Sequence, residues 1–177
     1  MPISRVLKKD FFNRPAPEVS RDLLGKYLVK QEGKEKLGYK IIEAEAYDGP
    51  EDKASHASRG KTSRNEIMFG PAGYFYVYLV YGIHHMLNVV TGKKGYPAAV
   101  LIRGIEGFAG PGKLTRELEI DLGFNKKFAS PENGLWLEDR GVEISDKEIK
   151  KNPRVGVDYA GSVWSQKPYR FVLKKRI

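Results

Sequence analysis

The sequence contains no cysteine and only three histidines and two tryptophans among its 177 residues. Without cysteine the chain can form neither a disulfide bond nor a thiolate metal site, which fits a reducing compartment. It also lacks the run of about eighteen apolar residues that a membrane-spanning helix needs. Its first residues, MPISRVLKKDFF, have no apolar signal-peptide core. We therefore expect a cytoplasmic protein, associated with the nucleoid in a prokaryote or nuclear in a eukaryote, and no membrane partner.

Positive charge, by contrast, is abundant. The formal net charge is +9 and the sequence pI is near 9.6. Such a balance favours a polyanionic partner, either nucleic acid or an anionic membrane. The basic residues are dispersed, with neither a basic tail nor a basic amphipathic helix, and this weakens the membrane alternative. Charge alone leaves open a third alternative, because many soluble basic proteins bind no polyanion.

The length and the hydrophobic content of 41% predict a single domain over residues 1–177. Apolar spacing predicts an α+β fold, with a mostly antiparallel, curved sheet, short flanking helices and a protruding hairpin that reverses at Tyr81-Gly82. We expect helices at Pro17–Leu24 and within 110–125, and a long loop with one helical turn at 48–66. Strands are expected at 26–32, 38–47, 74–92 in two parts, 97–107, 134–139 with 141–146 as a short hairpin, 154–161 and 168–175.

The stretch IIEAEAYDGPEDKASH carries two carboxylates on one strand. With a period of two, Glu43, Glu45 and Tyr47 share one face and the small apolar residues occupy the other. Paired carboxylates suit general acid–base or glycosidic chemistry. A solvated strand face is the plainer alternative, and it is the more frequent one for an isolated E-x-E.

Aromatic side chains are concentrated next to this strand. His56 follows on the adjoining loop, and Tyr74, Tyr76 and Tyr78 share one face of the next strand. Rings with polar edges suit a pocket for a flat heterocycle, although aromatic residues in strands are also ordinary core residues. A metal site is not expected, because His84 and His85 are adjacent and point to opposite faces of a strand.

Four segments together resemble the alkyladenine (3-methyladenine) DNA glycosylase family. They are EAEAYDGPEDKASHASRG, TSRNEIMFGPAGYFYVYLVYGIHHMLNVVT, AAVLIRGIE and RVGVDYAGSVWSQKPYRFV, in the family's order and over most of the chain. The resemblance implies a monofunctional enzyme of base excision repair. Such an enzyme flips an alkylated or deaminated purine (3-methyladenine, 7-methylguanine, hypoxanthine) out of duplex DNA and hydrolyses its N-glycosidic bond, without a cofactor.

Residue roles follow from the same resemblance. Glu45 is expected to be the general base that activates water, with the backbone carbonyl of Val155 as a second holder of that water. The pocket for the flipped base is expected to comprise Tyr47, His56, Tyr78, Asn88 and Arg103, with Asn88 disfavouring guanine. At the hairpin tip, Tyr81 corresponds to the residue that fills the vacated space in the minor groove, and Gly82 permits the chain reversal.

The remaining expectations concern partners. Arg59, Lys61 and Arg64 are candidates for phosphate contacts on double-stranded DNA, as are Lys93 and Lys94. We expect a monomer. Two alternatives remain: a catalytically silent module that binds distorted nucleic acid, and an O-glycoside hydrolase that uses Glu43 with Glu45. Glu45 argues against the first, because a binder of anionic DNA gains nothing from a carboxylate there.

Overall fold

One antiparallel sheet organises the protein in the computed structural model, which describes residues 3–175. The strands of this part of the chain are β1 (Arg5–Val6), β2 (Tyr27–Glu32), β3 (Glu35–Asp48), β4 (Phe75–Val80), β5 (His84–Val90), β6 (Ala98–Ile105), β7 (Phe108–Ala109), β8 (Leu135–Asp139), β9 (Ile149–Asn152) and β10 (Arg170–Leu173). Their order in the sheet is β1-β8-β2-β3-β6-β5-β4; β10 pairs with both β3 and β9, and β7 pairs with β6.

The helices are short. They are α1 (Lys9–Phe12), α2 (Ala16–Leu23), α3 (Pro111–Glu117) and α4 (Gly161–Trp164). Single turns of 3₁₀ helix lie at His56–Arg59, Glu66–Phe69, Leu122–Phe124, Pro131–Asn133, Asp146–Glu148 and Asp158–Ala160. Between residues 3 and 175, no helix has the length and apolar character needed to cross a membrane.

Strand β3 joins the two halves of the sheet. Its first part pairs with β2 across a tight connection at Gly33, where φ is 58°, a value that favours glycine. Its second part pairs with β6 on one edge, and residues 43–45 also pair with β10. The register against β6 shifts around Glu43, which marks a bulge. Bulges bend a strand and raise its twist, so this one curves the sheet where the carboxylates lie.

The two faces of the sheet have different roles. Ala44 and Ala46 on β3 and Phe75 and Val77 on β4 belong to the main hydrophobic core. Helices α2 and α3 pack on this same face, through residues such as Val19, Leu23 and Leu114. The alternate residues of the same strands point to the opposite face. The side chains expected to form the site occupy that second face.

Helix α2 shows how the sequence determines its packing. Ala16, Val19, Ser20 and Leu23 are fully buried, a spacing that puts them on one side of a helix. Pro15 precedes the first turn, where its missing N–H is no loss. The predicted helix at Pro17–Leu24 is confirmed, shifted by one residue.

Several predicted elements are confirmed and two are wrong. The Tyr81-Gly82 hairpin, strand β6, helix α3 and the loop at 48–66 with its one helical turn, His56–Arg59, are as expected. The predicted hairpin of 134–139 with 141–146 does not form, because β8 pairs with β1 and β2 instead. The predicted strand over 154–161 is a turn followed by helical turns, and β9 was not foreseen.

The central strands should carry much of the stability. Ile102 on β6 is fully buried, whereas Ile3 is 71% exposed. We expect Ile102→Ala to lower the free energy of unfolding by about 2–5 kcal/mol, and the chemically matched Ile3→Ala to change it by less than about 0.5 kcal/mol. Urea denaturation of both variants measures this. Equal losses would show that the core lies elsewhere.

Candidate active site

The strand register aligns four side chains in a row across the second face. Glu45 on β3 is paired with Leu101 on β6, Leu101 with Asn88 on β5, and Asn88 with Tyr76 on β4. Neighbouring strands lie about 4.8 Å apart, so the row spans about 14 Å. Residues far apart in the sequence therefore meet on one floor.

This floor belongs to a cavity of about 470 Å³. That volume falls within the range of about 300–1,000 Å³ typical of small-molecule sites. Nine of the residues predicted for the site line it: Glu45, Tyr47, His56, Arg64, Tyr78, Tyr81, Asn88, Arg103 and Val155. Its other lining residues include Met68, Tyr76, Leu101, Pro111, Val157 and Tyr159. Gly82, Arg59 and Lys61 are not in its wall.

Glu45 is buried and has several partners in this cavity. Its side chain is 0% exposed. The backbone N–H of Val155 donates to Oε2 at 2.8 Å, and the hydroxyl of Tyr47 donates to Oε1 at 3.2 Å. Arg103 Nη1 lies 3.6 Å from Oε1. A buried carboxylate with this set of donors is held in one orientation.

Two opposing influences act on the ionisation of Glu45. Burial raises the pKa of Glu45 above that of an ordinary glutamate, while Arg103, the Val155 N–H and the Tyr47 hydroxyl oppose the rise. Glu43 adds a small further increase to the pKa of Glu45. The donors therefore keep a buried carboxylate ionisable, which a general base requires.

Glu43 has a different environment. Its Oε1 accepts from Arg170 Nη1 at 3.1 Å and lies 3.2 Å from Arg103 Nε. Arg103 therefore bridges the two carboxylates of β3. The predicted shared face of Glu43, Glu45 and Tyr47 is confirmed by these contacts, and Glu43 is neutralised by two arginines rather than exposed to solvent.

Aromatic rings form one wall of the cavity. Tyr76 and Tyr78 lie 5.1 Å apart, and the His56 ring meets Tyr78 edge-on at 4.6 Å. Burial raises the pKa of Tyr76 to about 12 and raises that of Tyr78 further. Burial also raises the pKa of Tyr47 well above its usual range. All three phenols are therefore protonated at neutral pH and can serve as donors.

The hydroxyl of Tyr76 determines which ring nitrogen of His56 carries the hydrogen. It lies 3.1 Å from His56 Nδ1, and desolvation together with Arg64 lowers the pKa of His56, so the ring is neutral at neutral pH. The positive charge of Arg64 opposes the rise in the pKa of Tyr76. The phenol proton is then free to bond Nδ1, and we assign the remaining imidazole hydrogen to Nε2.

Asn88 is buried in the cavity floor and held by the backbone. Its Nδ2 donates to the carbonyl of Tyr76 at 3.1 Å and lies 3.5 Å from that of Met86. These bonds fix the orientation of the amide. Asn88 thus has a rigid position below the space where a flat ligand would lie.

The hairpin tip carries an exposed ring in a rare backbone conformation. Tyr81 is 91% exposed with φ of 52°, and Gly82 follows with φ of 69°. Ile83, also exposed, donates its N–H to Val80 at 3.2 Å to close the turn. A left-handed tyrosine is uncommon and costs free energy. Such strain is typical of residues retained for function.

Of the predicted phosphate-contact residues, only Arg64 lines the cavity. Arg64 donates to the carbonyl of Leu79 at 3.0 Å and stacks on Tyr78 at 5.2 Å, so it supports the aromatic wall directly. Arg59 and Lys61 are exposed between β3 and β4, and Lys93 and Lys94 are exposed in the connection between β5 and β6. Their role in binding DNA stays a prediction.

Val155 meets Glu45 through its N–H, a contact that the sequence did not indicate. The expected role of its carbonyl in holding water stays a prediction. Sequence reasoning also missed Tyr159, whose hydroxyl donates to the Ala54 carbonyl at 2.7 Å, and the buried pair Asp52–Arg154. Asp52 and Arg154 lie in the segments of the family resemblance, but only the fold brings them together. No three carboxylate or imidazole side chains of residues 3–175 cluster as a metal site would.

Comparison with known proteins now identifies this arrangement. The family model described as "Methylpurine-DNA glycosylase (MPG)" matches residues 10–109 and 106–177. The chain belongs to the methylpurine-DNA glycosylase family. It is 45% identical to a protein of Methanocella arvoryzae over 94% of this chain and 91% of that one. A protein of Anaeromyxobacter sp. (strain Fw109-5) is also 45% identical, over 95% of this chain and 89% of its own length.

A Legionella pneumophila (strain Lens) protein is 42% identical over 96% of this chain and 95% of its own length. All three relatives bear the name "Putative 3-methyladenine DNA glycosylase". The matches span nearly the whole of this chain and of each relative. The similarity to the methylpurine-DNA glycosylase family therefore extends over the strands of the cavity floor, the hairpin and residues 154–164. The resemblance read from the sequence is confirmed.

The strain at Tyr81 of this glycosylase family member can be measured. Asparagine tolerates the left-handed region far better than tyrosine does. We expect Tyr81→Asn to raise the free energy of unfolding by about 0.5–1 kcal/mol, since the exposed ring contributes little packing. Chemical denaturation measures it. Tyr96→Asn, at another exposed tyrosine without positive φ, is the control and should give no gain; a loss at position 81 would mean that the ring stabilises the turn.

Proposed function

We propose that this protein is a monofunctional DNA glycosylase that removes alkylated or deaminated purines from duplex DNA and leaves an abasic site. The observation that carries the proposal is a buried, oriented carboxylate, Glu45, at one end of a cavity whose opposite wall consists of tyrosine and histidine rings. A base cannot be reached inside a duplex, so the enzyme must extrude it into such a pocket. DNA is the polyanion that the net charge of +9 favours.

Glu45 acts in this reaction as the general base. It takes one proton from a water molecule whose oxygen forms the new bond to the sugar C1′. The C1′–N bond breaks, and its electrons leave with the purine. Because the side chain is 0% exposed in the free protein, the water reaches it as the lesion binds. The carboxylate also stabilises the positive character that develops on the sugar.

The leaving base determines how much further assistance is needed. A purine alkylated on a ring nitrogen already carries positive charge and departs as a neutral molecule. Hypoxanthine is neutral and needs a proton as it leaves. Alkylated purines are therefore the substrates that this site, with one assigned carboxylate base, handles with least assistance.

The aromatic wall selects flat bases. Tyr47, Tyr78 and His56 provide faces and edges for stacking, and the hydrogen on His56 Nε2 provides a donor for an acceptor on the purine edge. Asn88, held by two backbone carbonyls, blocks the exocyclic amine of guanine. Normal guanine is then rejected. Alkylated guanine can still be released, because its N-glycosidic bond is more labile.

The hairpin engages the duplex. Tyr81 enters the minor groove and occupies the space of the extruded nucleotide, as apolar wedges do in proteins that unstack DNA. Arg59 and Lys61 neutralise phosphates nearby, which adds affinity without sequence preference. The protein acts as a monomer on double-stranded DNA, wherever the cell keeps its genome.

The decisive variant is Glu45→Gln, which removes the base at constant size. We expect at least a hundredfold loss in the single-turnover rate of 7-methylguanine or hypoxanthine release, because general base catalysis contributes about 10²–10⁴-fold. In the wild type the rate should fall with decreasing pH as Glu45 is protonated, with a midpoint above that of an ordinary glutamate because burial raises its pKa.

Glu106→Gln is the matched control, since Glu106 is an exposed glutamate outside the cavity, and it should release bases at the wild-type rate. If Glu45→Gln keeps full activity, Glu45 is not the base. If the wild type binds lesions but releases none, the protein is a silent binding module. If it cleaves sugar polymers but not DNA, it is an O-glycoside hydrolase.

The basic loop predicts a steep salt response. Affinity for undamaged duplex should fall as salt increases, and Arg59→Ala should reduce the slope of log K against log salt by about 1, one phosphate contact. Lys34→Ala is the control, because Lys34 lies in the turn before β3, eleven residues along the chain from Glu45. Fluorescence anisotropy at several salt concentrations measures both. An unchanged slope for Arg59→Ala would exclude Arg59 from the phosphate contacts.

A further inference from the structure

A buried ion pair lies directly behind the Glu45 site. The side chains of Asp52 and Arg154 are both 0% exposed. Arg154 Nη1 donates to Asp52 Oδ2 at 2.5 Å, and Nη2 donates to Oδ1 at 2.9 Å. This bidentate pair joins residues 102 positions apart in the sequence. Neither residue has a role in the reaction proposed above.

The pair connects four segments of the chain. Arg154 also donates to the carbonyls of Ala46, at 3.0 Å, and Trp164, at 3.1 Å. The Asp52 carboxylate accepts the N–H groups of Asp48 and Ala54, at 3.0 and 3.1 Å. The ion pair thus joins four segments at one point: the end of β3, the loop that leads to His56, residue 154 and helix α4.

Aromatic rings hold the guanidinium as well. Its central carbon lies 5.0 Å from the centre of the Tyr47 ring and 5.2 Å from that of Tyr169. Tyr47 is the residue whose hydroxyl donates to Glu45. Val155, the next residue after Arg154, supplies the backbone N–H that also donates to Glu45. Two of the three partners of Glu45 therefore adjoin Arg154.

Stability alone is a weak explanation for this pair. Burying two charges costs several kcal/mol per ion, and a well-packed apolar pair of similar size is often no less stable. Arg154 Nε is buried with no hydrogen-bond partner among residues 3–175, which adds to the cost. A pair that is costly to bury but fixes geometry in several directions suits a positioning role.

We propose that Asp52 and Arg154 are positioning residues of the active site: they fix residue 154 against β3, so that the Val155 N–H and the Tyr47 hydroxyl point at Glu45. This inference rests on the proposed function, since the reaction it serves is base release. Neither residue touches the substrate. They act through the two donors that orient the carboxylate.

The proposal predicts how Glu45 titrates. The Val155 and Tyr47 hydrogen bonds both lower the pKa of Glu45, so weakening the ion pair raises it. The other charged and titratable groups that face Glu45 remain in place: Glu43 on β3, Arg103 on β6, Tyr78 on β4, Arg170 on β10 and Tyr159 on the 3₁₀ turn. Loss of the Asp52 charge leaves Arg154 unpaired, which by itself would lower the pKa of Glu45. A rise in that pKa therefore reports on the two donors.

The test uses Asp52→Asn, which keeps the size of the side chain and removes its charge. We expect the Glu45 carboxyl titration, followed by ¹³C NMR, to move to higher pH by about one unit, the equivalent of one charged hydrogen bond. The acid limb of single-turnover base release should move by the same amount. Leu137→Ala is the control, because Leu137 is a buried core residue on β8, outside the cavity.

The two variants separate positioning from stability. If Asp52→Asn lowers the urea midpoint as Leu137→Ala does but leaves both titrations where they are in the wild type, the pair is merely structural and the proposal is overturned. If the wild type releases no damaged base at any pH, the glycosylase assignment fails. The Glu45 titration would still shift in Asp52→Asn if the pair positions its donors.

A measurement on the wild type covers the case in which Asp52→Asn does not fold. The guanidinium protons of Arg154 should exchange with solvent at least a hundredfold more slowly than those of Arg116, whose side chain is 70% exposed. Exchange at the Arg116 rate would mean that Arg154 is not held, and would overturn the proposal.

Discussion

The structure depends on the burial of one carboxylate. Glu45 lies on the central strand with 0% of its surface exposed, and an isolated ionised carboxylate in such a place would be very costly. Three partners reduce the free-energy cost of burying this carboxylate: the Val155 N–H, the Tyr47 hydroxyl and Arg103. The same contacts that reduce this cost also aim the group. A glutamate in solvent needs none of these partners, but it would point at no particular atom.

The sheet provides this environment because one of its faces packs against the core and the other lines the cavity. Residues such as Ala44, Ala46 and Val77 are packed in the main core, while their neighbours in the strands form the cavity. The floor is therefore as rigid as the core beneath it. At the rim, Tyr81 adopts a left-handed conformation and is 91% exposed. A packed cavity floor and an exposed tyrosine at the hairpin tip are thus parts of one α+β fold.

The sequence was informative wherever a local pattern determines structure. Alternation predicted the face of Glu45 and Tyr47, and the pair Tyr81-Gly82 predicted the hairpin tip. It misled where partners are distant: residues 134–146 look like a hairpin, but β8 finds β1 and β2 instead. Arg154 appeared to lie in a strand, and its link to Asp52 across 102 positions follows only from the tertiary fold. The roles of the site residues came from the family resemblance, since spacing alone left a solvated strand face open.

The most direct test is a crystal structure of the protein on duplex DNA that carries a cationic abasic-site analogue. Our account predicts that the analogue lies in the cavity between Glu45 and the rings of Tyr47, His56 and Tyr78. A water molecule should lie within hydrogen-bond distance of Glu45 and face the atom that replaces C1′. A complex in which the sugar stays in the duplex, or in which Glu43 rather than Glu45 faces that atom, would contradict it.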